Sequence, residues 1–217
     1  MIRIHREGRL IVAITVIMLT ILLVFSALVL SSLVNYIIIF ITLVVLILVF
    51  RFFRIPRRRP FLDEKTITAP ADGRVVAIEK VEEKEFLKKA TIQVSIFMSI
   101  HDAHINYYPV SGKVSYLRYH AGRYLVARHP KSSHLNEHCS IGIDTPYGPL
   151  LVRQIAGYVA RRIKCYAIPD SASRQGREMG FIKFGSRLDL FLPVDSSIQI
   201  ELDQHVMGSV TPIARFK

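Results

Sequence analysis

The sequence predicts a mainly β (α+β) body built from antiparallel sheets, preceded by an N-terminal transmembrane helical hairpin. Three observations predict it. From Leu10 to Phe50 there is no charged residue. Beyond Phe61 the apolar residues fall into short alternating runs separated by turn dipeptides. Long amphipathic helical patterns are missing from that second part.

The hairpin comes first in the chain. Leu10 to Leu30 is continuous apolar sequence, and as a helix it spans about 31 Å, the thickness of a bilayer core. Leu33 to Phe50 spans about 27 Å, sufficient when flanking residues help at the interface. Ser31, Ser32 and Asn35 lie around the join, polar but uncharged, as a tight turn at the far membrane face requires. A cleaved signal peptide fits less well, because the apolar core is too long and a second span follows at once. Arg3, Arg6 and Arg9 precede the first span; Arg51, Arg54, Arg57, Arg58 and Arg59 follow the second; the turn has no Lys or Arg. The positive-inside rule then puts both ends, and the body after them, on the cytoplasmic side of the inner membrane. Residues 1–60 read as basic tail and hairpin, residues 61–217 as one domain.

Strands follow in order. Ala71-Asp72-Gly73 is a turn entering Arg74 to Ile78, with Gly73 free to take positive φ. Thr91 to Met98 alternates between flanking charges. Ile141 to Asp144, the turn Thr145-Pro146-Tyr147-Gly148, and Leu150 to Ala156 predict a hairpin. Tyr158 to Ile163 is the clearest helical interruption, with strand as its alternative. Leu188 to Pro193 and Ser197 to Leu202 are the last alternating runs.

Composition narrows the class. Of the net charge of +12 in 217 residues, residues 1–60 carry eight arginines and one glutamate, leaving +5 for the rest. The Arg57-Arg58-Arg59 cluster is explained by topology, and a basic collar also draws the body to anionic head groups. Nucleic-acid binding is a poorer explanation, since no recognition motif accompanies the charge. Two cysteines, Cys139 and Cys165, agree with a reducing compartment; nothing requires a disulfide between them.

Three segments could carry chemistry. Gly185-Ser186 joins two strand-like runs, Phe181 to Phe184 and Arg187 to Asp189. A glycine there can hold a strained backbone, and the Ser186 hydroxyl is tied covalently close to the Gly185 carbonyl. A base could drive an intramolecular acyl shift, and elimination and hydrolysis would leave an N-terminal pyruvoyl group. Gly-Ser is also an ordinary turn dipeptide, and Gly208-Ser209 repeats it. Next, His101-Asp102-Ala103-His104 holds two histidines three apart, which a strand would point to opposite faces. Asp72 could orient a histidine, although Asp-Gly is a common turn. Finally, His134-Leu135-Asn136-Glu137-His138 matches H-x-x-E-H, an inverted zinc-protease pattern. It needs a helix, and this segment runs from Pro130 into a strand.

Taken together, the residues of the body resemble the phosphatidylserine decarboxylases, particularly their shorter membrane-anchored branch. The matching segments are Pro70 to Gly73, Phe97-Met98-Ser99, His104-Ile105-Asn106, Pro109 to Gly112, Asn136-Glu137, Gln154 to Gly157, Ala160 to Ile163, and Phe184 to Arg187 with Asp189. They keep the family order across most of Thr66 to Pro193. The resemblance implies self-cleavage between Gly185 and Ser186, a covalent pyruvoyl group derived from Ser186, His104 as the base for Ser186, and Asp72 as the acid that orients it. His101 coincides with an additional histidine of the longer branch. The sequence departs from the family form at His138, where arginine is expected, and around Gly208 to Pro212. The chemistry implied is a Schiff base between the ketone and the head-group amine of phosphatidylserine. CO₂ is then lost and phosphatidylethanolamine released, with no metal or diffusible cofactor. The implied partners are the lipid substrate and the chain's own two fragments. Homo-oligomer formation and acyl-chain or ether-lipid preference stay open. The rival readings are a membrane-anchored β-domain adaptor without catalysis, suggested by the turn-strand at Ala71 to Ile78, and the zinc protease.

Overall fold

A computed structural model describes residues 3–122, 136–157, 163–183 and 186–217. The chain divides into two compact units, Met1–Arg57 and Arg58–Lys217.

The first unit is the hairpin. Strand β1 (Arg3–Ile4) leads through a 3-10 turn at Arg6–Gly8 into α1 (Arg9–Val29), followed by α2 (Ser32–Phe52) and β2 (Arg54–Ile55). Each helix has 21 residues, about 31 Å of rise, and each is long and apolar enough to cross a membrane. Both helices meet through polar side chains: Ser26 and Thr42 are buried, and the Ser26 hydroxyl donates to Asn35 Oδ1 at 2.7 Å. Leu, Ile, Val and Phe side chains are left outward, the arrangement for helices whose surroundings are lipid. The two arginine-bearing ends are stitched together where Arg3 pairs with Ile55 and Ile4 with Arg54.

Every strand pairing among the described residues of the second unit is antiparallel, as the alternating runs predict. Its strands are β3 (Thr66–Thr68), β4 (Gly73–Glu83), β5 (Lys89–Met98), β6 (Ile105–Tyr107), β7 (Gly112–His120), β8 (His138–Asp144) and β9 (Leu150–Ala156). They continue with β10 (Ile163–Cys165), β11 (Ala172–Ser173), β12 (Glu178–Ile182), β13 (Ser186–Pro193), β14 (Ser197–Ile198), β15 (His205–Val206) and β16 (Pro212–Arg215). The large sheet runs β11-β7-β8-β9-β13-β5-β4-β15 and curls into a half-barrel; β10-β12-β6 and β14-β16-β3 form two smaller sheets. The β8–β9 hairpin turns at the expected residues, with the Thr145 hydroxyl donating to the Gly148 carbonyl. Of the run from Ser197 to Leu202, only Ser197–Ile198 pairs as strand. Ile163 opens a strand, and the remainder of the helical reading at Tyr158 to Ile163 lies outside the described residues.

The pleat sorts the large sheet into two faces. Opposed residues Leu190, Val94 and Val152, with Ile141 across from Val152, share the apolar face with Leu188 and Ile96, all fully buried. Each such side chain contributes about 1.5–3 kcal/mol. Alternate positions carry Gln93, Ser95, Ser140, Arg153, Arg187 and Asp189, equally withdrawn from water but joined to one another by hydrogen bonds. This second face is covered at one end by the β4–β5 turn. Its Glu83 carboxylate gathers the backbone N–H groups of Glu85, Phe86 and Leu87 at 2.8–3.0 Å. Phe86 stacks on Tyr116 over Gly142, where a side chain would collide with the ring.

Candidate active site

Ser186 is the first residue of β13, the strand held between β5 and β9. Its partners there are Met98 and Ala156. The side chain lies on the apolar face, fully buried, and its hydroxyl donates to the Met98 thioether at 3.2 Å. Sulfur is a weak acceptor, so little holds the proton there. Asn106 Nδ2 approaches the same sulfur at 3.9 Å, and Gln154 Nε2 donates to Asn106 Oδ1 at 2.7 Å. Gln154 Oε1 is buried and has no hydrogen-bond partner among the described residues. Gly180 leaves the space into which the Gln154 amide fits. Phe184 and Gly185, the residues before the expected cut, lie outside the described residues.

His104 sits just before β6, fully buried. Its Nδ1 lies 3.0 Å from the Asp102 carbonyl oxygen, which can only accept, so Nδ1 carries the proton. In the neutral ring that leaves Nε2 as the basic nitrogen. His104 and Asn106 are two apart in extended chain and therefore project to one side; Asn106 reaches Met98, the residue that also holds Ser186. The His104 carbonyl receives the N–H of Ile182, four residues before Ser186. His101 is exposed at the surface.

Asp72, in the turn before β4, is 4% exposed. Both its oxygens face the Arg58 guanidinium. Gly208 N–H donates to Oδ1 at 2.8 Å, and Ala103 N–H to Oδ2 at 3.4 Å. Its link to His104 in these contacts therefore runs through the neighbouring backbone at Ala103, while the imidazole Nδ1 is held by Asp102. Burial pulls the Arg58 pKa down, but the hydrogen bonds and charge of Asp72 outweigh it, leaving Arg58 above its ordinary value. Burial also pushes Tyr107 up to about 12.

Sequence reasoning assigned Arg58 to membrane topology and Gly208 to an unusual segment; the fold brings both to Asp72. The available signal was the solitary acid Asp72 in an apolar stretch, which needs a cation when buried.

His134 of the H-x-x-E-H match lies outside the described residues. Glu137 and His138 are adjacent in extended chain: Glu137 accepts from Ile163 N–H at 3.4 Å, and His138 opens β8. Among the described residues that segment forms no helix. Cys139 and Cys165 are free thiols. The hydrogen bond between them raises the pKa of Cys139 and lowers that of Cys165.

Comparison with known proteins gives the family. The sequence pattern of the family described as phosphatidylserine decarboxylase matches residues 45–214. A phosphatidylserine decarboxylase proenzyme of Parabacteroides distasonis is 44% identical over 216 residues, covering 98% of each chain. That of Amoebophilus asiaticus is 45% identical over 218 residues, 99% of this chain and 97% of the relative. That of Porphyromonas gingivalis is 42% identical over 217 residues, 98% of each. With that match across most of its length, the chain belongs to the phosphatidylserine decarboxylase family of carboxy-lyases.

Proposed function

We propose that this protein is a self-processing, pyruvoyl-dependent phosphatidylserine decarboxylase that converts phosphatidylserine to phosphatidylethanolamine and CO₂ at the cytoplasmic face of the inner membrane. The observation that carries the reading is Ser186: a buried hydroxyl on a weak sulfur acceptor, flanked by the segment of the buried His104.

Maturation follows from the chain's own groups. His104 Nε2 takes the Ser186 Oγ proton, and Oγ attacks the Gly185 carbonyl carbon. The peptide C–N bond breaks, and an ester links the two residues. Loss of the Ser186 α-proton then expels the Gly185 carboxylate. The resulting dehydroalanine tautomerises and hydrolyses with release of ammonia, leaving a ketone at the new terminus. No oxidant is needed, since elimination supplies the change in oxidation level. Asp72 positions the base through Ala103, and Arg58 holds both carboxylate oxygens in place.

The surroundings of Ser186 suit the group formed there. Met98 touches its side chain, Asn106 and Gln154 are linked to Met98 behind it, and Gln154 Oε1, without a partner among the described residues, offers an acceptor to a substrate N–H. The pyruvoyl group supplies an electron sink for the pair left when CO₂ departs. The packed apolar face excludes water, which favours loss of a carboxylate.

In this reading residues 1–60 anchor the enzyme and residues 61–217 form the catalytic domain, cut between 185 and 186. The short fragment stays bound. Its β13 lies between β5 and β9, with eight residues in register on one side and six on the other. Intact mass of the purified protein, with hydrazine trapping, tests the proposal. Two fragments are expected, the smaller one starting at residue 186 and labelled by hydrazine. An active single chain of 24.7 kDa would refute it, as would an active Ser186→Ala variant.

A further inference from the structure

The polar face of the large sheet, opposite to the one that buries Ser186, carries a cluster that the decarboxylase reading does not use. Glu85 from the β4–β5 turn, His120 at the end of β7 and His138 at the start of β8 converge there. Their nearest donor atoms all lie within 4.8 Å of one another. His120 Nε2 lies 2.6 Å from Glu85 Oε1, and the two imidazoles stack with centroids 4.4 Å apart. The cluster borders a cavity of about 550 Å³ that is also lined by Glu83, Gln93, Arg153 and Phe191.

We propose that Glu85, His120 and His138 form a divalent-metal site of the kind that takes Zn²⁺, with an open coordination position facing this cavity. Two imidazoles and one carboxylate are a borderline-soft ligand set suited to zinc. Donor atoms on one tetrahedral zinc ion stand about 3.4 Å apart, so binding requires the His120–Glu85 hydrogen bond to open and the stacked rings to turn until both lone pairs meet one ion.

Outer contacts already orient the ligands. His138 donates its Nδ1 proton to the Asn136 carbonyl at 2.7 Å, which presents Nε2 as the free lone pair; ligating histidines are held in this way. Glu85 Oε2 is occupied by Ser140 and Arg153, both at 2.7 Å, and Tyr116 donates to Oε1 at 3.1 Å. Oε1 is thus the oxygen turned toward the histidines. The charge balance admits a cation, because Glu83 and Glu85 together outweigh the single Arg153 guanidinium between them. A bound ion would add to the contacts that already hold the β4–β5 turn against β7 and β8. This site stands independently of how Ser186 is processed.

The test uses the full chain in detergent, stripped with a chelator and titrated with Zn²⁺ by calorimetry and elemental analysis. One Zn²⁺ per chain is expected, with affinity reduced at least about 100-fold in His120→Ala and in His138→Ala. Cys139→Ser should bind as the native chain does. Failure of the native chain to bind Zn²⁺ overturns the proposal, as does undiminished binding in both histidine variants. Should those variants not fold, Co²⁺ on the unaltered chain decides. Ligand-field bands without a sulfur-to-cobalt charge-transfer band support the site. An intense charge-transfer band, which would mark the thiols, or no cobalt spectrum, refutes it.

Discussion

Replacing Arg58 by Met tests whether the buried acid at the site depends on its cation. Asp72 is withdrawn from water and receives two N–H groups besides the guanidinium. Removing one partner of a buried ion pair costs about 3–5 kcal/mol, because the other charge is left uncompensated. The Arg58 side chain keeps 16% exposure and the two N–H groups remain, so about 2–3 kcal/mol is the expected loss. For a unit of this size the melting temperature should fall roughly 5–10 °C. Asp72→Asn alone should also destabilise, since it leaves Arg58 without its counter-charge. Together the two changes make a neutral pair, so the double variant should recover about 2 kcal/mol relative to their sum. Thermal unfolding of the four detergent-solubilised chains measures this. A second readout follows self-cleavage on a denaturing gel. If Asp72 positions His104 through Ala103, Arg58→Met should slow cleavage on the order of 10–100-fold. Effects that add to within about 0.5 kcal/mol, or cleavage at the native rate in Arg58→Met, would refute the reasoning.

Three further outcomes are expected. Arg153→Met leaves Glu83 and Glu85 without the guanidinium that bridges them; it should cost about 3–5 kcal/mol in denaturant unfolding, and a loss below 1 kcal/mol would argue against a coupled network. Burial alone would raise the pKa of Glu85, but His120, Ser140 and Arg153 outweigh it and hold it at about 2, against 4.5 for the free group. Its contribution, of order 1–2 kcal/mol after solvent screening, is therefore complete above about pH 4.5 and fades as the pH falls toward 2. The stability gap between the native chain and Glu85→Gln should shrink correspondingly from about pH 6 to about pH 3, and a constant gap contradicts the assignment. Gly73 has φ of +149°, and a β-carbon there would run into the Phe97 carbonyl oxygen; Gly73→Ala should lower stability by at least about 2 kcal/mol, and an unchanged unfolding midpoint would show that the turn yields.

What could be read in the sequence was local. An uncharged run of membrane length needs no partner to declare itself, and neither does two-residue alternation, because both follow from the rise per residue and the direction of successive side chains. The hairpin at Thr145 to Gly148 and the turn that enters the strand at Gly73 were legible because turn residues mark themselves. Ser186 and His104 were singled out only through the resemblance of their surroundings to a family. Neither spacing nor periodicity could have chosen them.

Tertiary structure decided the pairing of groups distant in the chain. Arg58 and Asp72, with Gly208 far along the chain, meet only because strands from both ends of the second unit close on one turn. His138 looked like part of a linear metal motif with His134 and Glu137; extended backbone sends Glu137 toward Ile163 and brings His138 to His120 and Glu85. Ser186 and Arg187 are neighbours in sequence, yet the pleat sends the hydroxyl to the apolar face and the guanidinium to the polar one. A strand's residue types state which positions are buried. Which buried group finds which partner depends on register across the sheet, and register is a property of the assembled strands.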